Sequence, residues 1–187
     1  CNHSRNLDDE QLGWIKENGG VVQTVAFNSY LNTEKNNAYN KASTAFMEEI
    51  AKEQGFVMMS RADARKLEEK DQEAYYEQYM KIRKLAQDKM AENPDKFDPV
   101  NVSDFVDHID YMVKKMGLDH VGISSDFDGG GGVSGWNDAS ETLNVTIELV
   151  KRGYTEVEIE KLWSGNLLRV LDKVQEVAQK IQNGEEV

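Results

Sequence analysis

The chain of 187 residues has one cysteine, two prolines and no long apolar run. A single thiol, Cys1, excludes an internal disulfide, and its ordinary reading is a chemically inert side chain. Nothing approaches the roughly 18 apolar residues of a membrane span, and no signal-peptide pattern opens the chain. Positive charge is also in short supply: 22 Lys and Arg face 34 Asp and Glu, a formal net charge of −12. That balance excludes a general binder of nucleic acid or of anionic membrane surfaces. An initiating methionine is missing too. The opening "CNHSRN" has no strand or helix before it, which leads us to expect a piece of a longer protein.

What is present fits a soluble globular chain, with 39% hydrophobic and 30% charged residues. "RNLDDEQLGWIKENGG" predicts a helix with Asp8 as N-cap and Gln11 closing a capping box, stopped by Gly19 and Gly20. "VVQTVAF", residues 21–27, is β-branched and aromatic, and predicts a strand. Residues 33–99 are rich in Lys and Glu. Tyr39, Ala42, Phe46 and Ile50 share one helix face there, and Tyr75, Tyr79, Ile82 and Ala86 share a second. Both prolines fall in "ENPDKFDP" and close this segment.

The strongest periodicity follows. Val102, Phe105, Val106, Ile109, Met112, Val113 and Met116 recur at offsets of three and four, and Gly117 ends the pattern. A second strand is expected at 119–124, then helices near 138–152, 155–163 and 166–182. Strands alternating with helices argue for parallel β/α units. Two parallel strands alone leave their outer edges unpaired, so the pattern reads as part of a larger sheet.

The second strand runs into "SSDFDGGGG", two carboxylates and four glycines. A calcium loop would need an oxygen ligand where Gly130 stands and a closing acid where Asn137 stands, so that reading fails. A phosphate loop would need Lys-Ser or Lys-Thr after the glycines, and Val133-Ser134 follows instead. A solvated Asp-Gly turn is the commonest role for such a pair. Position favours chemistry, because in β/α barrels reacting groups sit at the C-terminal ends of strands. Asp126 stands where the strand ends, and a carboxylate there can ligate a metal or transfer a proton.

"DHIDYMVKKMGLDHVGISSDFDGG" resembles the signature of the membrane (renal) dipeptidase family, zinc-dependent hydrolases on a (β/α)8 barrel. The opening "CNHSRNLDDEQLGWIKENGGVVQ" and the closing "ELVKRGYTEVEIEKLWSGNLLRVLDKV" resemble that family's flanking segments, in family order. The resemblance implies the C-terminal portion of an α/β (TIM) barrel that hydrolyses dipeptides. It further implies two zinc ions whose ligands lie outside this chain; none of His3, His108 and His120 matches a ligand position. Arg5 matches the family arginine that holds the substrate carboxylate, a task suited to a bidentate guanidinium. Asp126 matches the aspartate that engages the substrate amino group and moves protons. Tyr30 falls on the loop after the seventh strand and is expected to line the pocket. Asp128 reads as loop-shaping, and Asn166 and Arg169 as capping and packing residues of the last helix.

The resemblance divides the chain into barrel segments 1–32 and 100–187, separated by a charged helical insertion, 33–99, that relatives replace with a shorter connection. That insertion reads as a solvated hairpin, a lid or a subunit contact. Expected partners are a dipeptide, the N-terminal part of the same barrel, or a second copy that hides the free strand edges. The alternative from another class is a non-catalytic interaction module built on a barrel remnant. Asn101 and Asn144 head formal glycosylation sequons, which arise often by chance. Side-chain preference and compartment are not legible.

Overall fold

The computed structural model describes residues 1–186, which cluster into two compact units: Cys1–Thr33 with the residues from Val100 on, and Glu34–Pro99. In the first unit α1 (Asp9–Glu17) leads to β1 (Val22–Val25) and the short α2 (Asn28–Leu31). After the second unit come α6 (Val102–Met116), β2 (Val121–Ser124), α7 (Thr142–Lys151), α8 (Glu156–Glu160) and α9 (Asn166–Gln182). The two strands pair in parallel, from Val22 opposite Val121 to Val25 opposite Ser124. This is one β-α-β unit, with α6 as its crossover helix.

The core follows from the period-2 alternation of the strands. Ala26, Val121 and Ile123 are buried together with Phe105, Val106, Ile109, Met112 and Met116 of α6. Phe105, Val106 and Ile109 are fully buried, each stabilising the fold by about 2 kcal/mol through removal from water. Helix α6 starts at Val102, the first residue of the apolar repeat, behind an Asn101 cap. Asn101 accepts from the amides of Ser103 and Asp104, while the Asp104 carboxylate accepts from the Asn101 amide. At its other end, Gly117 takes a φ of 91°. Thr24 is buried on the same side of the sheet, and its hydroxyl has no hydrogen-bond partner.

Helix α7 is locked onto α6 by Arg152. Its guanidinium donates to Asp107 (2.6 Å), Asp110 (2.7 Å), Glu148 (3.0 Å) and the Ser103 carbonyl (2.9 Å). Asp110 also accepts from the Tyr154 hydroxyl at 2.7 Å, which with burial pushes the Tyr154 pKa well above its usual value.

The sequence pattern and the structure differ at several boundaries. The strands are four residues each, and the stretch before β2 (Leu118–His120) is a 3-10 turn. Residues 139–141 also form a 3-10 turn ahead of α7. The expected break before the last helix is absent: Lys161–Gly165 form a π-helical turn that joins α8 to α9 without interruption. Asn166 therefore caps nothing. It is buried, and its amide donates to the carbonyls of Leu118 (2.7 Å) and Val121 (2.8 Å), tying the helix to the start of β2. Arg169, one turn on, donates to the carbonyls of Gly19 and Asp119.

Helix α9 is amphipathic, yet its apolar stripe faces outward. Leu167, Leu171, Val174 and Ile181 are 49–62% exposed. A groove of about 1060 Å³ runs beside this helix, lined by Gly19, Gly20, Leu168 and Val174 among others.

The second unit holds α3 (Thr33–Glu53, whose first residue belongs to the first unit), α4 (Arg61–Ala64) and α5 (Glu69–Ala91). Ile50 and Ala51 of α3 bury against Ile82 and Ala86 of α5, with Phe46, Met47, Phe56 and Met58 packed around them. The two helix faces read from the periodicity meet here, although their tyrosines stay at the margin. Among the described residues, no helix is long and apolar enough to cross a membrane.

Candidate active site

Because β1 and β2 run in parallel, their C-terminal ends emerge side by side. Two segments leave this end: Ala26–Phe27, running into α2 with Tyr30, after β1, and the loop Ser125–Gly132 after β2. The backbone joins them, for the Gly132 amide donates to the Ala26 carbonyl at 2.6 Å and Phe27 forms a parallel bridge with Gly132.

Asp126 is the one non-glycine residue with positive φ among the described residues, at φ 64° and ψ 35°. Aspartate tolerates this left-handed conformation better than most side chains. Its carbonyl accepts from the amides of Gly129 (3.1 Å) and Gly131 (2.7 Å), which curls the loop into a tight turn. The two inner glycines leave room that a methyl group would fill, against backbone at Gly131 and against a side chain at Gly129. A Cβ on Gly131 would stand 2.3 Å from the Ser125 carbonyl, and one on Gly129 would stand 2.0 Å from Asp126 Oδ1. The carboxylate thus lies across Gly129 and is exposed to solvent. Beyond the loop, Trp136 anchors the chain in the core, packed on Phe105, Phe127 and Trp163 and donating to Thr142 Oγ1.

The segment before α1 folds back onto the loop after β1. Asn6 donates to the Tyr30 carbonyl at 2.8 Å and to the Cys1 carbonyl at 3.1 Å. Cys1 Sγ lies 3.1 Å from Thr33 Oγ1. The Arg5 guanidinium sits over the Tyr30 ring, 5.6 Å from its centroid, in a cation–π contact. Tyr30 is flanked by the His3 ring at 4.6 Å and stacked on Phe27 at 4.3 Å and 17°. Among the described residues no carboxylate pairs with Arg5, which leaves its donor fork open to solvent.

Arg5 and Tyr30, picked separately from the sequence, are therefore in contact. Asp126 lies on the neighbouring loop, at the same end of the sheet. The sequence reading did not single out Phe27, Asn6 or Gly132, which connect these groups. The one available signal was the aromatic pair of "FNSY", three residues apart and directly after a strand.

The histidines hold backbone rather than converge. His108 Nε2 meets the Leu31 carbonyl at 2.9 Å, so it carries the proton, and burial holds its pKa below the usual histidine value. His120 Nδ1 meets the Gly20 carbonyl at 2.8 Å, and His3 Nδ1 accepts from the Arg5 amide. Among the described residues no group of three or more His, Cys, Asp or Glu is placed to hold a metal ion.

Comparison with known proteins shows the family of the chain. The family described as "Membrane dipeptidase (Peptidase family M19)" matches residues 1–185. The chain belongs to the membrane dipeptidase family. Among solved structures it resembles the probable dipeptidase PvdM from Pseudomonas aeruginosa, with a TM-score of 0.58 and 34% identity over 94% of this chain and 42% of that one. The dipeptidase aclJ of Aspergillus oryzae is 26% identical over 97% of this chain and 29% of its own length. The dipeptidase ataJ of Aspergillus terreus is 45% identical over 41% of this chain and 19% of its own. The chain thus spans less than a third of these two curated dipeptidases and under half of the solved structure.

Proposed function

We infer that this chain is the substrate-holding part of a dipeptidase, a (β/α)8-barrel enzyme that cleaves the peptide bond of a free dipeptide. The single observation that carries this reading is that an arginine with an open donor fork, resting on Tyr30 after β1, and an exposed, pre-shaped carboxylate after β2 stand at the same end of a parallel sheet. A dipeptide zwitterion has complementary charges at its two ends. Arg5 would take the C-terminal carboxylate as a bidentate ion pair, worth more than a neutral hydrogen bond. Asp126 would take the ammonium end and carry a proton from the attacking water to the nitrogen that leaves as the peptide bond breaks. Tyr30 would form the wall beside the carboxylate.

The resemblance implies two zinc ions, and among the described residues the donor set does not supply a site for them. One exposed carboxylate falls short of the three ligands that even an open catalytic zinc site requires. The contribution of this chain is therefore binding, orientation and proton handling. Purified alone and dialysed against a weak chelator, it is expected to keep no stoichiometric zinc; tightly held zinc found by metal analysis would overturn that expectation.

The deciding experiment uses the full-length protein carrying this chain. Arg5→Ala should raise KM for a free dipeptide while leaving kcat little changed, and a C-terminally amidated dipeptide should be almost indifferent to it. Equal losses on both substrates would reject the clamp. Asp126→Asn should depress kcat with bound metal unchanged.

The expected cover for the apolar stripe of α9 is the barrel segment that precedes this chain in its longer relatives, or a second copy of the chain.

A further inference from the structure

We propose that Phe27 is a positioning residue that fixes the span between Arg5 and Asp126, and so limits the substrate to two residues. The inference rests on the dipeptidase reading above. Phe27 touches both halves of the site. Its ring stacks on Tyr30 at 4.3 Å and 17°, nearly parallel, and Tyr30 in turn carries the Arg5 guanidinium on its face. Its carbonyl accepts from the amides of Tyr30 (2.9 Å) and Leu31 (3.2 Å), which starts α2 and sets where Tyr30 stands. Its backbone bridges Gly132, the last glycine of the Asp126 loop. The ring also covers that loop: a Cβ on Gly130 would lie 3.8 Å from Phe27 Cε2.

The consequence is geometric. Arg5 is on a segment held on the Tyr30 side through Asn6, the Cys1–Thr33 contact and the ring stack. Asp126 is on a loop held to β1 through Gly132. Any change in the Phe27 ring plane moves the arginine platform relative to the carboxylate. A substrate bridging two charged groups at a fixed separation is selected by its own length, and misplacement of about 1 Å costs up to about a hundredfold in rate. A flat aromatic ring is needed because stacking fixes orientation as well as distance.

The test measures kcat/KM of the full-length protein on dialanine, dialanine amide and trialanine. The wild type should favour dialanine strongly over both. Phe27→Leu, which keeps bulk but loses the plane, should lower kcat/KM on dialanine by roughly tenfold. It should also narrow both preferences by roughly fivefold, because a loosened span discriminates less well. Phe27→Tyr, which keeps the stack, should restore both preferences. Where Phe27→Leu does not fold, Phe27→Met takes its place with the same expectation. A loss that falls equally on all three substrates, or unchanged preferences, overturns the role of Phe27 while leaving the dipeptidase reading intact. A wild type indifferent to amidation and length overturns both.

Discussion

At the scale of single residues, the loop after β2 separates two costs that look alike in sequence. Gly129 and Gly131 are two positions apart, and each sits where a methyl group would collide. At Gly131 the obstacle is backbone, the Ser125 carbonyl, which cannot move without undoing the turn. Gly131→Ala should therefore destabilise the protein by about 2 kcal/mol or more, read as a lower unfolding midpoint. At Gly129 the obstacle is the flexible end of Asp126. Gly129→Ala should leave the midpoint nearly unchanged and lower kcat, because the carboxylate must swing away from its resting place. Equal unfolding midpoints for the two variants would reject this distinction. Thr24 offers the opposite case. Its buried hydroxyl lacks a partner, so Thr24→Val should stabilise by up to about 1 kcal/mol in urea denaturation.

At the scale of elements, what the sequence disclosed depended on whether the cause was local. The α6 stripe and its Gly117 stop are written within 16 residues, and the structure has them. The capping box of α1 is equally local. The π turn at Lys161–Gly165 left no trace, because its cause is distant: Asn166 must reach Leu118 and Val121 across the fold. The left-handed backbone of Asp126 was likewise hidden, being imposed by hydrogen bonds to glycines on its C-terminal side. Among the site residues, the family resemblance pointed to Arg5 and Asp126, and position after the strand pointed to Tyr30, but their connection through Phe27 required the strand register. Two measurements belong here. Asn101→Ala removes the α6 cap and should cost about 1 kcal/mol, seen in the urea midpoint. His108 in α6 is kept neutral by burial, despite Asp104 and Asp107 nearby, so its folded pKa lies below the unfolded value of about 6.5. The unfolded chain then binds more protons, and stability falls as pH drops below about 6.5. His108→Gln should flatten that slope between pH 7 and 5; an unchanged slope would assign it to other groups.

At the scale of the whole molecule, the outward stripe of α9 predicts behaviour in solution. Sedimentation of the isolated chain should show concentration-dependent self-association, and Leu171→Glu with Val174→Glu should abolish it. A monomer at all concentrations would mean that the stripe tolerates water. The connection between the strands carries a second consequence. Asn32, just ahead of the insertion, donates to Asp104, just after it, at 3.2 Å, so the chain leaves and returns at nearly the same place. The segment between has its own core, built from Ile50, Ala51, Ile82 and Ala86. For a chain searching conformations, a prefolded detour is equivalent to a short tether: loop-closure entropy grows by only about 0.6 kcal/mol per doubling of flexible length, and a detour that folds first removes most of that length. Replacing 34–99 with a few glycines and serines should therefore leave the pairing of β1 with β2 almost as stable as before, and hydrogen exchange at the amides of Val121–Ser124 reads this directly. The insertion could then have been gained, lengthened or lost over time without the parallel pair registering the change.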